Sequence, residues 1–372
     1  MLKVITQNRN LELIGICLII AIIFVILPLS LDVFRLNLVG KYLTYAFVAV
    51  GLVLCWGDTG ILSLGQGLFF GLGGYCMAMF LKLEASSVAN TKIQTTPGIP
   101  DFMDWNQLHA LPFFWIPFKS LTFALIAVIL VPTLAAFILG TAMFKRRVGG
   151  VYFAIITQAL AAVMTILIVG QQGYTGGING ITDLRTLLGW DIRTDSAKYI
   201  LYFVCCALLL GTMLIARFVQ VSKLGRILVA VRDQEDRVRF SGYDVANFKI
   251  FVFCLASAMA AVGGAMFTLQ VGFMSPSFVG IVPSIEMVIF CAVGGRQSIV
   301  GAVLGTLIVN WAKSSFSEAF PELWLFAMGG LFIAVVLAFP GGLAGLVTDQ
   351  IVPWLSSRSI WGVHEESPAP AE

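Results

Sequence analysis

The polar side chains that could do chemistry here are those set inside long apolar runs. Glu286, in Ser284-Ile285-Glu286-Met287, is the one carboxylate well inside such a run. An acid at membrane depth is costly enough that it serves either a solute path or an internal pair. Ser63 and Gln66 lie in Gly57-Asp58-Thr59-Gly60-Ile61-Leu62-Ser63-Leu64-Gly65-Gln66-Gly67, which continues through Gly71, Gly73 and Gly74. Such glycine density either breaks a membrane helix and frees backbone groups to line a path, or lets helices pack closely. Thr175 and Asn179 sit in Gly173-Tyr174-Thr175-Gly176-Gly177-Ile178-Asn179-Gly180-Ile181. That nest of amides suits a polar solute, and equally a tight external turn. No hydrolase elbow, HExxH or haem motif occurs. Gly40-Lys41 is followed by Tyr42 and lacks the earlier glycine of a nucleotide-binding loop, so the chain is expected to bind no ATP itself. The seven cysteines all lie in apolar runs without a CxxC, and His109 and His364 are far apart. They offer neither a disulfide framework nor a metal site, and no cofactor is expected on this chain.

The elements that must position these residues are membrane helices. Of 372 residues, 59% are hydrophobic and only 12% charged, with a mean hydropathy of +0.93. A soluble domain carries roughly twice that share of charge. The net charge of +3 is too small to argue for nucleic acid. Apolar length places segments near 11–29, 38–56, 61–81, 118–142, 150–169, 199–219, 249–270, 280–293, 298–313 and 323–346. The third is studded with glycine and the eighth is short for a full span. The expected fold is therefore an all-α polytopic bundle of about ten membrane segments, some broken or re-entrant. Residues 1–346 form the membrane domain, and 347–372 a cytoplasmic tail, disordered at its end. The first run lacks a small-x-small cleavage site and reads as an uncleaved span. With both termini cytoplasmic, about fourteen Lys and Arg fall inside and about nine outside, in keeping with the positive-inside tendency.

The longest polar interruption near the middle, 220–248, has its own pattern. Leu224, Leu228, Val231 and Val238 share one helical face, with Glu235 interrupting the stripe. Arg226, Arg232, Asp233, Asp236, Arg237 and Arg239 cover the rest, and Gly242 suits a C-terminal stop. A short amphipathic helix between two membrane segments is placed to dock on something in the cytoplasm. Its apolar seam would fill a groove there, and its charges would set the register.

At these residues the chain resembles a family. Gly225-Arg226-x-Leu228-x-Ala230-Val231-Arg232-Asp233-x-Glu235, with Gly242 further on, is similar to the coupling loop of ABC importer permeases of the branched-chain amino acid and urea branch. Phe240 is bulkier than that pattern has. Gly60-x-Leu62-Ser63-Leu64-Gly65-Gln66-Gly67, Thr175-Gly176-Gly177-x-Asn179-Gly180, and Val293-Gly294-Gly295-Arg296-Gln297 resemble the same family's signatures. The likeness covers most of the chain from about Leu43 to Gly345. It implies that Leu224, Gly225, Arg226, Arg232, Asp233, Glu235 and Gly242 belong to a helix that sits in a cleft of an ATPase subunit. It implies a bacterial inner-membrane location, a second permease subunit, two ATPase subunits holding ATP and Mg, an external solute-binding protein, and alternating access. The runs Asn310–Phe326 and Ala338–Gly345 look most like the urea branch. A single buried acid without a buried base also suits urea better than a zwitterion. A branched-chain amino acid is the alternative substrate. A polytopic membrane enzyme is the reading from a different class, disfavoured because no nucleophile or acid–base cluster is visible.

Overall fold

The computed structural model describes residue 12 and residues 14–92, 94–320, 322–338 and 341–346. The expected tail 347–372, with His364, lies outside the described residues. Apolar runs become helices because lipid offers no partner for a backbone amide or carbonyl, and a helix pairs them internally. The elements are α1 Ile14–Ser30, α2 Val33–Asp58, α3 Gln66–Ala85, α4 Leu121–Phe144, α5 Gly150–Gly170, α6 Asp195–Val221, α7 Lys223–Phe240, α8 Val245–Val271, α9 Ile281–Gly294, α10 Ile299–Ala319, α11 Trp324–Ala338 and α12 Gly342–Leu346. Among the described residues, seven of them are long and apolar enough to cross a membrane, and α1, α9 and part of α11 are shorter apolar helices. Each segment expected from the sequence acquires a helix, and the chain is an all-α polytopic membrane protein. The only paired strands among the described residues form a small hairpin, Thr186–Leu187 against Trp190–Asp191.

α8 is the central element, with α2, α3 and α4 packed around it. Its contacts depend on small residues. The Phe70 carbonyl approaches Gly264 and the Ala261 carbonyl approaches Gly73, leaving no room for a Cβ at either glycine. In lipid such close backbone approach supplies the packing that a hydrophobic driving force supplies in water. Tyr45, Phe70, Phe267 and Phe290 stack in the space between these helices. α4, α5 and α6 instead leave Leu125, Ile129, Ile155, Ile166 and Ile215 exposed, as a lipid-facing surface requires.

Boundaries around α7 are set by side-chain caps. Ser222 accepts from the Gly225 amide at the start of α7, and Asp244 accepts from the Ala246 amide at the start of α8. Gly242, at φ +88°, supplies the left-handed stop between them. α7 is bent at Gln234, whose φ of −152° and ψ of 76° are not helical. The bend falls beside Glu235, where the apolar stripe is interrupted.

Two helices are interrupted. α2 ends in a wide π turn, Val53–Asp58; Gly60 then takes φ +77°, and the chain runs non-helically to Gln66, where α3 begins. The second interruption precedes α9. Residues 272–280 link α8 to α9 through a short 3-10 turn, Pro276–Phe278, with Met274 paired to Ile181 through both backbone hydrogen bonds, 2.9 Å each. The glycines of 294–305 mark no further break. Gly294, Gly301 and Gly305 serve a close crossing of α9 and α10.

Candidate functional site

The first break carries Ser63 and Gln66 into the protein. The Thr157 hydroxyl accepts from the Leu64 amide at 3.1 Å, and the Thr157 carbonyl presses on Gly65. Thr157 lies seven residues into α5, so this contact is about 10 Å from the start of that helix. One residue beyond Gln66, the Gly67 amide donates to the Ser284 hydroxyl at 3.1 Å. Ser284 in turn donates to the Gly280 carbonyl at 2.8 Å. The starts of α3 and α9, each following a break, therefore meet. Ser63 and Gln66 are 0% and 1% exposed, yet the Ser63 hydroxyl and both polar atoms of the Gln66 amide have no partner among the described residues. Leaving such a group unpaired costs about 1–3 kcal/mol, so it is not a neutral feature of a core.

Two residues beyond Ser284, Glu286 accepts from the Lys313 ammonium of α10 at 2.7 Å. Lys313 also lies 4.4 Å from the Trp324 ring centroid, and half-buried Lys41 of α2 lies 5.9 Å from that of Phe267. The Tyr42 hydroxyl meets that of Ser314 at 2.5 Å beside them. The expectation of a buried acid with no base is thus corrected. Lys313 reaches back one helix to neutralise Glu286, which a linear reading of separated segments does not reveal. Ser284, Lys313 and Lys41 are the residues that reading missed. A lysine inside the run 38–56 and one closing the run 298–313 were the available signals.

α7 differs from its sequence expectation in two respects. Leu228 and Val231 are 0% and 3% exposed, so the apolar seam packs against this chain's own helices and fills no external groove. An amphipathic pattern states that one face is apolar, not what covers it. Arg232 also turns inward: its Nη1 donates to the Gly57 carbonyl at 2.7 Å and its Nε to Asp233 at 3.0 Å. Glu235 accepts from Arg239 at 2.8 Å and from Lys249 of α8 at 2.6 Å. Gly225 has the Val219 and Gln220 carbonyls against it, where a side chain would not fit. Leu224 is half-buried. The exposed positions include Arg226, Asp233, Arg237 and Phe240, the last 91% exposed. Nearby, Arg217 donates to Glu12 at 2.7 Å, and Gln220 to Asp58 at 3.0 Å.

Thr175 and Asn179 lie at the other end of the bundle. The Thr175 hydroxyl donates to the carbonyls of Ile168 and Gln171, at 2.6 and 2.8 Å, and Asn179 is exposed. Gly180, at φ +71°, packs on the Met274 backbone. The turn therefore buttresses the second break, and the structure does not bring it to Gln66. In the loop that follows, hydrogen bonds from Arg193 hold the Asp191 carboxyl down to about 2.

The family model described as branched-chain amino acid transport system, permease component, matches residues 34–336. The high-affinity branched-chain amino acid transport system permease LivM of Salmonella typhimurium is 24% identical over 331 residues, covering 82% of this chain and 69% of the relative. Its counterpart BraD of Pseudomonas aeruginosa is 22% identical over 309 residues, covering 81% and 92%. The autoinducer 2 import system permease LsrC of Yersinia enterocolitica is 26% identical over 224 residues, covering 58% and 59%. No solved structure matches the chain.

Proposed function

The chain belongs to the branched-chain amino acid permease family of ABC importers, and from that premise we propose that it forms the path of a small uncharged solute, urea, beside a second permease subunit. As a permease it is a transport subunit and not itself an enzyme. The observation that carries the reading is the unpartnered, fully buried set at the first break, the Ser63 hydroxyl and the Gln66 amide. Urea presents N–H donors and one carbonyl, which a hydroxyl and a carboxamide can both accept from and donate to. The resemblance of 310–326 to the urea branch points the same way.

A branched-chain amino acid is the second reading, favoured by the printed names of LivM and BraD and by Lys41, Glu286 and Lys313, which place both signs of charge within membrane helices. A zwitterion would have to exchange with the 2.7 Å Glu286–Lys313 pair, whereas a neutral solute leaves it intact.

Energy arrives from two separate ATPase subunits, which hold ATP and Mg and receive the exposed face of α7, with Arg226, Asp233, Arg237 and Phe240 as the contact. The α7 end faces the cytoplasm. Glu12 meets Arg217 at that end and Gly342 meets Gly295 there, so both ends of the described chain share it. An external binding protein delivers solute at the opposite end of the bundle. The test is ATP hydrolysis by the reconstituted importer in liposomes, with its binding protein, on addition of urea or leucine. Stimulation by urea supports the reading. Stimulation by leucine alone replaces it with the second.

A further inference from the structure

We infer that Arg232 is a positioning residue that ties α7 to the first helix break and so links the ATPase contact to Ser63 and Gln66. The inference rests on the docking of α7 proposed above, and not on which solute is carried. Arg232 is the side chain of α7 whose guanidinium reaches the Gly57 carbonyl, 175 positions away in sequence. Its aliphatic stem packs on Gly60, the residue whose positive φ turns the chain out of α2. The opposite side of Gly57 lies against the Arg296 carbonyl, in the turn between α9 and α10, and the Arg296 guanidinium lies 5.3 Å from the Trp56 ring centroid. The turn 57–60 is therefore held between α7 and the α9–α10 turn.

Both elements that lead away from this junction carry the buried polar set. From Gly60 the chain runs through 61–65 to Gln66, and from Gly295 α9 leads back to Glu286 and Ser284. The joint departs from regular helix, since α2 closes in a π turn, Val53–Asp58, a rare geometry that is frequent at functional sites. Gly60 adds a backbone that L side chains rarely adopt. The same guanidinium also donates through Nε to Asp233, which is 60% exposed on the proposed docking face. A shift of Asp233 under a docked partner thus moves the guanidinium that holds the Gly57 carbonyl. A contiguous chain of contacts of this kind can carry coupling between two sites.

The test uses the whole importer with Arg232→Met and Arg232→Lys, read as co-purifying ATPase, solute uptake, and the ratio of solute-stimulated to basal hydrolysis. Urea and leucine are both supplied. Arg232→Met is expected to keep the ATPase bound, to lower uptake about ten-fold, and to bring the stimulation ratio to about one. Arg232→Lys, which keeps a donor and the charge but not the fork, should recover part of the ratio. Three results overturn the inference: a normal ratio in Arg232→Met, loss of the ATPase from it, or failure of both variants to accumulate in the membrane. The last two would make Arg232 a docking or a folding residue. Failure of the docking reading shows separately, as unchanged ATPase co-purification in the double variant Arg226→Glu/Arg237→Glu.

Discussion

The α7 end of the bundle and the first helix break are both polar places in an apolar protein, and they treat their polar groups in opposite ways. At the α7 end Glu12 meets Arg217, Gln220 meets Asp58, Arg232 meets Gly57 and Glu235 meets Lys249. At the break the hydroxyl of Ser63 and the amide of Gln66 are buried and have no hydrogen-bond partner among the described residues. Paired groups fix geometry, because separating them would leave a charge or donor uncompensated. Unpaired buried groups weaken the fold by about 1–3 kcal/mol each. The first region pairs its polar groups, and the second leaves Ser63 and Gln66 unpaired at the path proposed above.

The strongest way to break this contrast is at the junction of the two regions. Gly57→Val would drive a side chain into the Arg296 carbonyl, and backbone has little freedom to yield. A loss of about 3 kcal/mol is expected, measured as a fall in thermal midpoint and in the yield of detergent-solubilised importer. An unchanged midpoint would mean the junction is loose.

Next in size is the Glu286–Lys313 pair. Lys313→Met leaves a carboxylate without its cation and should destabilise by about 1–2 kcal/mol, reduced from the fully buried case by the partial exposure of Lys313. The double variant Glu286→Gln/Lys313→Met should recover most of that loss, so the cycle yields a coupling energy. Purely additive losses would show that the two side chains do not act as a pair.

Gln66→Leu sharpens the contrast most, because it separates stability from transport. Replacing an unpartnered buried amide by an apolar side chain of similar size should leave stability unchanged or raise it by about 1–3 kcal/mol. Uptake should nevertheless fall about ten-fold, the equivalent of one lost hydrogen bond to a solute. Normal uptake in this variant would leave Gln66 as packing alone. The smallest effect is expected at Lys198→Ala, which removes a 3.2 Å pair with exposed Asp195. Thermal unfolding should detect a change below about 0.5 kcal/mol.

What the sequence determined by itself is what local pattern can carry. Apolar length fixed the helices, down to the short α9, because lipid requires every backbone group to be paired within its own segment. Glycine density marked 57–74 as a break or a close-packing site, and the seam of Leu224, Leu228 and Val231 located α7, while its bend at Gln234 emerged only in the structure. Tertiary structure decided which partner each polar group meets. Gly67 finds Ser284 across 217 positions, Gly57 finds Arg232 across 175, and Glu286 finds Lys313 across 27. None of these lies within the three- and four-residue reach of a helix face. For the same reason the seam of α7 was legible as apolar but not as buried within its own chain. The role of the Thr175–Gly180 turn, a brace for Met274, also waited for the break at 272–280 to be folded against it. Periodicity reports a face, and only packing chooses what lies against it.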